Sequence, residues 1–287
     1  MTGYCTLGEA MVYALSRTVE DRTLVFHGFG SPLVQLALHL AKHTHAPDMV
    51  LVAGATYGVN PTPPFLAPTS NDWVMDRGAE ASLRIEELFD LAASGRMGRM
   101  FLSGLQIDPW GNANVTLLGD GASAAAQGAL PKLKLPGGGG GCNLSCDAER
   151  ITLWTAGHRS VSGRKGKQFR LVPECDFITN LGHRAVDGTP RRELGHRGQG
   201  PDWLITELGV FDFDPYGHLR LRAVYPDTTV DEIREHTDFS PVVADELETV
   251  GLPDAEMISF LRALDPLGVH LQELRPEDRE RRFDLTG

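Results

Sequence analysis

Apolar residues recur along this chain in two rhythms. Over residues 6–19 they fall at Leu7, Ala10, Met11, Ala14, Leu15 and Val19, the spacing that turns one helical face toward a core. Residues 23–27 (TLVFH) are instead a short, continuous, β-prone run, and Leu33, Leu36, Ala37, Leu40 and Ala41 resume the helical rhythm. Between the two lies Gly28-Phe29-Gly30-Ser31-Pro32, where Ser31 is placed to cap a helix with Pro32 at its first position. Residues 49–53 (MVLVA) are a second buried-strand pattern. A strand, a glycine turn, a helix and a strand within 53 residues predict a parallel α/β sheet.

Residues 57–78, rich in Pro, Asn, Thr and Gly, read as a long irregular loop, and helical spacing returns over 80–93. A strand pattern at 99–102 runs into Ser103-Gly104-Leu105-Gln106-Ile107-Asp108-Pro109, then the turn Trp110-Gly111-Asn112 and a strand at 115–118. Further strands are predicted at 151–155, 176–180, 203–206, 209–213 and 219–224, the last three as a meander broken by Pro215-Tyr216-Gly217. Helices follow at 229–237 and 254–264, the second capped by Asp254. Residues 275–282 are charged and read as frayed or partner-bound. With no internal repeat and no linker, one α/β domain over 1–270 and a charged tail over 271–287 are expected.

Composition narrows the function classes. The 287 residues carry 27 Lys plus Arg against 38 Asp plus Glu, a net charge of −11. That lacks the basic footprint of a protein binding nucleic acid or an anionic membrane. The first ten residues have no basic start, and no apolar run approaches the ~20 residues of a membrane span. Cys5, Cys142, Cys146 and Cys175 are too scattered for a disulfide framework, and the Cys142/Cys146 pair lacks a second ligand pair for zinc. A cytoplasmic protein with reduced thiols and no metal is expected.

The 32 glycines exceed the usual ~7% and cluster. Gly28 and Gly30 resemble a shortened dinucleotide fingerprint, but the third glycine is missing and no acidic residue closes the next strand. The remaining readings are a structural turn or a loop whose backbone approaches a ligand. Gly137 to Gly141 form an unbroken run that is costly in backbone entropy to order. It is either a loose connector or a source of N–H groups aimed at one point, as an oxyanion needs. No lysine follows it as a P-loop would require.

Four stretches combine into a family pattern: FHGFGSPLVQLALHLAKHTHAPDMVLV, LSGLQIDPWGNANVTLLGD, LPGGGGGCN and TELGVFDFDPYGHLRLRAVYPDTTVDEIREHTDF. On these the chain resembles the β subunit of glutaconate CoA-transferase and other family I CoA-transferases over about residues 5–268. The resemblance implies a three-layer α/β/α fold of the NagB/RpiA type with a mostly parallel sheet. It also implies an α-like partner subunit, commonly in an α2β2 assembly, and an acyl-CoA thioester as substrate with no permanently bound cofactor. Transferases of the family attack the thioester with a glutamate in a V-E-S-G-like stretch. Here that stretch reads Leu51-Val52-Ala53-Gly54-Ala55-Thr56, the glutamate position is Gly54, and no Asp or Glu occurs between Asp48 and Asp72. Glycine offers no nucleophile. The resemblance therefore extends to the branch that keeps the CoA cleft but breaks carbon–carbon bonds, by hydrolysis in steroid ring opening or by decarboxylation of a methylglutaconyl-CoA. A transferase with its glutamate elsewhere and a silent subunit completing the partner's pocket are the other readings.

Residue by residue, Gly138, Gly139, Gly140 and Gly141 are candidates for backbone donors at the thioester. Gln106 is a candidate ligand for the acyl group or a water, or else a turn partner of Asp108 and Asn112. Gly28, Gly30 and Asn143 are candidates for contact with CoA. Cys142 could replace the lost nucleophile or be a small packed thiol. His27, ending the first strand, could be a general base or a structural histidine.

Overall fold

The computed structural model describes residues 3–119, 133–163 and 166–285. They pack as two units, one made of residues 1–101 and 249–287, the other of residues 102–248.

The first unit begins with β1 (Tyr4–Thr6) and α1 (Leu7–Ser16). A capping box starts α1: the Thr6 N–H donates to Glu9 Oε2 at 2.7 Å and the Glu9 N–H donates to Thr6 Oγ1 at 3.2 Å. Two orphan donors of the helix start are satisfied in this way. Then come β2 (Leu24–His27), α2 (Pro32–His43), β3 (Val50–Val52), β4 (Gly58–Val59), β5 (Ala81–Ser82), α3 (Ile85–Ala93) and β6 (Arg99–Ser103). β2 pairs in parallel with both β3 and β6, while β4 and β5 add antiparallel strands at the far edge. This is the α/β arrangement expected from the first 53 residues. Leu7, Met11 and Leu15 of α1 and Leu33, Leu36 and Leu40 of α2 are wholly buried where the two helices pack, each contributing about 1.5–3 kcal/mol.

The second unit starts with a hairpin of β7 (Gln106–Ile107) and β8 (Ala113–Asn114) around the Asp108–Asn112 turn. β9 (Leu117–Leu118) pairs with β10 (Leu133–Lys134), and the glycine run then leads into α4 (Gly141–Asp147). β11 (Arg150–Thr155) is separated from β14 (Pro201–Thr206) by a small hairpin of β12 (Val161–Gly163) and β13 (Gly166–Gln168), yet pairs with β14 in parallel. β14, β15 (Gly209–Phe213) and β16 (Leu219–Val224) form the predicted antiparallel meander. α5 (Val230–His236), capped by Thr229, precedes β17 (Val242–Thr249), which lies beside β16. Residues 176–180, expected as a strand, are irregular and touch the hairpin through one bridge between Asn180 and Ala113.

The chain then returns to the first unit as α6 (Ala255–Leu264), capped by Asp254, α7 (Pro276–Arg279) and β18 (Arg282–Asp284). β18 pairs antiparallel with β1, so the charged tail is docked rather than frayed. Its pairing partner lies at the opposite end of the chain, where no local pattern reveals it.

Candidate functional site

In the first unit the predicted residues gather where β2 and β3 end. His27 is 1% exposed; its Nδ1–H donates to the Gly28 carbonyl at 2.9 Å and its Nε2 accepts the Gly54 N–H at 3.1 Å. Burial pushes its pKa down to about 4, so the ring is neutral. With both nitrogens held by backbone, His27 ties the two strand-end loops together and has no lone pair free for a substrate proton. Gly54 is there because nothing larger fits. A Cβ on it would lie 2.1 Å from the His27 carbonyl oxygen and 2.5 Å from that of Gly28.

The Gly28–Ser31 turn is open around Gly28 and Gly30, and Gly30 needs its glycine for a φ of +62°. Phe29 stands 63% exposed, edge-on to the Tyr57 ring at 6.4 Å. The Gly30 N–H donates to Ser70 Oγ at 3.2 Å. Ser31 sits at the cap position of α2 but its hydroxyl makes no cap bond; the Leu33 N–H is taken instead by Glu273 Oε2 at 2.9 Å. A carboxyl oxygen from 240 residues away thus does the work assigned to the local serine.

In the second unit, Gln106 Oε1 accepts both the Asn114 side-chain amide at 2.7 Å and the Asp176 N–H at 3.0 Å. Its partners are therefore Asn114 and Asp176, not Asp108 and Asn112. Its Nε2 makes no hydrogen bond to a described residue. The Asp108-Pro109-Trp110-Gly111-Asn112 turn is held internally by Asp108 and externally through Asn112, which accepts the Gly182 N–H at 2.7 Å and donates to the Arg184 carbonyl at 3.0 Å. Asp108 accepts the Trp110 and Asn112 N–H groups and the Asn112 side-chain amide, and burial pushes its pKa up to about 6.

The glycine run is anchored at both ends. The Gly137 N–H donates to the Val115 carbonyl at 2.9 Å, and the Gly141 N–H to that of Gly138 at 2.7 Å. Gly138 cannot carry a side chain without meeting Thr179 Cγ2 at 2.8 Å, and Gly139 holds a φ of +52°. Between the anchors, the N–H groups of Gly138, Gly139 and Gly140 make no hydrogen bond to a described residue. Cys142 and Asn143 lie in the first turn of α4. The Cys142 thiol faces only acceptors, Asn143 Oδ1 at 3.3 Å and the Gly139 carbonyl at 3.6 Å. Among the described residues no group of three His, Cys, Asp or Glu side chains could hold a metal ion.

Sequence reasoning overlooked the residues that hold this second cluster. Thr179 Oγ1 bonds Thr116 Oγ1 at 2.7 Å and accepts the Val115 N–H at 3.0 Å. Arg191, 4% exposed, donates to the carbonyls of Ser145 and Cys146 in α4 and to those of Leu181, Gly182 and Gly198. It lies in a charge-rich stretch that reads as a solvated loop, so nothing local announces a buried guanidinium.

Parallel strands β2, β3 and β6, a glycine turn after β2 and a glycine run ahead of α4 define an α/β protein with glycine-rich loops beside its strands and helices. No family model matches the chain. The β subunit of the 3-oxoadipate CoA-transferase of Pseudomonas knackmussii is 28% identical over 269 residues, 92% of this chain and 95% of the relative. The β subunit of the glutaconate CoA-transferase of Acidaminococcus fermentans is 26% identical over 273 residues, 90% and 92% of the two chains. The IpdB subunit of the Mycobacterium tuberculosis cholesterol ring-cleaving hydrolase is 24% identical over 272 residues, 94% and 99%. Among solved structures, the decarboxylase AibA/AibB matches with a TM-score of 0.77 and 30% identity, covering 94% of this chain and 98% of that one. The chain belongs to the family I CoA-transferases, as a β subunit of an enzyme of that family.

Proposed function

We propose that this β subunit, joined to an α-like partner in an α2β2 assembly, acts on an acyl-CoA whose β-position bears a carbonyl or carboxylate. It breaks a carbon–carbon bond rather than exchanging CoA between acids. One observation carries the reading: the loop after β3 holds no carboxylate, and at Gly54 the carbonyls of His27 and Gly28 leave no room for one. Relatives of both kinds exist: two are transferases, one is a ring-cleaving hydrolase and one a decarboxylase.

The chemistry needs an oxyanion site but no side-chain nucleophile. In decarboxylation the β-carbon is itself the carboxylate carbon: the bond from Cα to that carbon breaks, its electron pair enters the thioester carbonyl, CO2 leaves and the resulting enolate takes a proton at Cα. In hydrolysis, water gives a proton to a base and adds to the β-carbonyl, and the C–C pair moves into the same thioester enolate. The N–H groups of Gly138, Gly139 and Gly140, which bond no described residue, and the Gln106 amide are the donors we assign to that oxygen. Gly28, Gly30, Gly141 and Asn143 are assigned to CoA. The base is assigned to the partner chain, because His27 has both nitrogens engaged and Cys142 faces acceptors. Four free cysteines fit a cytoplasmic site of action.

The test is trapping. The reconstituted complex, incubated with acyl-CoA and then borohydride or hydroxylamine, is expected to release cleavage product with no reduced or hydroxamate-modified glutamate. A trapped glutamyl-CoA ester restores transferase chemistry and overturns the proposal.

A further inference from the structure

The donors assigned to the thioester oxygen come from two separate segments of the second unit, Gln106 in β7 and the glycine run ahead of α4. Residues 176–180 fix one against the other. The Asp176 N–H donates to Gln106 Oε1 at 3.0 Å, and Asp176 Oδ2 accepts the Gly119 N–H at 2.6 Å. Asn180, 4% exposed, pairs with Ala113 of β8 and accepts the Ser145 hydroxyl of α4 on Oδ1 at 3.3 Å. Thr179, between them, meets the run itself.

Both branches of the Thr179 side chain are used. Its Oγ1 accepts the Val115 N–H at 3.0 Å and shares a proton with Thr116 Oγ1 at 2.7 Å. The carbonyls of Val115 and Thr116 in turn take the N–H groups of Gly137 at 2.9 Å and Leu135 at 2.8 Å. The hydroxyl therefore holds the segment to which the entry of the run is tied. The methyl group bounds the run directly: a Cβ on Gly138 would lie 2.8 Å from Thr179 Cγ2, whereas the next atoms, both of Cys142, stand at 3.4 and 3.5 Å. Gly138 is not among the glycines with positive φ, so its backbone accepts an L side chain. Thr179, and not the local conformation, reserves position 138 for glycine.

We propose that Thr179 is a positioning residue for the cleavage reaction: its hydroxyl and its methyl together fix the place of Gly138, and with it the aim of the Gly138, Gly139 and Gly140 N–H groups at the enolate oxygen. It acts through the run and not on the substrate. Such donors stabilise a developing charge only where they are already aimed, and a displacement of about 1 Å can cost about a hundredfold in rate. The role rests on the acyl-CoA reading above and deepens it.

The test combines kinetics of the reconstituted complex on acetoacetyl-CoA and malonyl-CoA with amide hydrogen exchange of the full-length chain over residues 135–141. T179V keeps the branched shape and removes the hydroxyl. Its kcat should fall about tenfold or more while KM stays within about twofold, and exchange over 135–141 should quicken. T179S keeps the hydroxyl and should hold kcat within about threefold, with wild-type exchange. G138A should lose about tenfold or more in kcat, and adding T179S should restore most of that loss, because removing the methyl clears the one close contact. A residue that only supported the fold would lower the melting temperature of T179V and leave kcat unchanged well below it. Unchanged exchange in T179V, or a G138A/T179S complex no faster than G138A, would overturn the positioning role alone. Quicker exchange in T179V with kcat unchanged in both T179V and G138A would overturn the oxyanion assignment of the run and the role with it. No turnover of either thioester by the wild-type complex would overturn the acyl-CoA reading beneath both.

Discussion

Placing an acid at Gly54 should damage this protein without making it a transferase. A Cβ there would sit 2.1 Å from the His27 carbonyl oxygen and 2.5 Å from that of Gly28, so strand ends must part by about an ångström to admit even alanine. Both obstructing atoms are backbone, and no rotamer change relieves them. Parting the loops also breaks the 3.1 Å bond from the Gly54 N–H to His27 Nε2, stranding a buried donor and a buried acceptor. Overpacking contributes about 1–3 kcal/mol and the stranded pair a similar amount. The sum, roughly 2–5 kcal/mol, corresponds to a fall in melting temperature of about 5–15 °C for a chain of this size. G54A isolates the steric part, and G54E adds a buried charge. Thermal unfolding followed by circular dichroism reads both, and borohydride trapping reads the chemistry of G54E. An alanine variant melting within about 1 °C of wild type would refute the packing argument, and a glutamyl-CoA ester in G54E would refute the chemical one.

Three further substitutions separate holding from acting. Q106E keeps the two hydrogen bonds accepted by Oε1 but deletes the Nε2 amide donor, so its melting point should stay near wild type while kcat of the complex falls by tenfold or more; an unchanged kcat would remove Gln106 from the chemistry. R191M strands five carbonyls and should cost about 3–5 kcal/mol in urea unfolding, with R191K recovering part of it, whereas equal losses in the two variants would show that charge and hydrogen bonding at this place are irrelevant. His27 has a folded pKa of about 4 against an ordinary 6.5, so the unfolded chain takes up a proton first as pH falls. Its contribution is complete above about pH 6.5 and is lost toward pH 4, an effect on the order of 3 kcal/mol. Urea midpoints at pH 7 and pH 4.5 should therefore differ more for wild type than for H27N, and equal differences would contradict the assignment.

What could be read from the chain was local. The run of residues from 6 to 53 carries its helices and strands in spacing alone, and the meander of β14, β15 and β16 is marked by its turns. What escaped depends on distant partners. β17 is a strand of mostly exposed residues with no alternation to betray it, and β18 exists because Tyr4–Thr6 lies beside it. Residues 176–180 look β-prone, yet their hydrogen bonds go to the β7–β8 hairpin and to Val115 and Thr116 beyond it, so they stay irregular. Ser31 reads as a cap by position, but Glu273 arrives from the far end of the chain with a better acceptor.

The candidate site divides along the same line. Its glycines are legible because ordering an unbroken run of them is costly unless the bare backbone is put to use, whereas Thr179, bonded to the segment before the run, and Arg191, bonded to α4 after it, are ordinary residues in unpromising stretches. Gly54 shows the difference most directly. In the sequence it registers only as a missing acid, which is compatible with a pocket enlarged by deletion. In the structure its place is filled by two carbonyl oxygens and a histidine ring that accepts its N–H. The loop after β3 is therefore closed at Gly54 rather than open, and His27, which looked like a candidate base, is the residue that bonds it to the turn after β2.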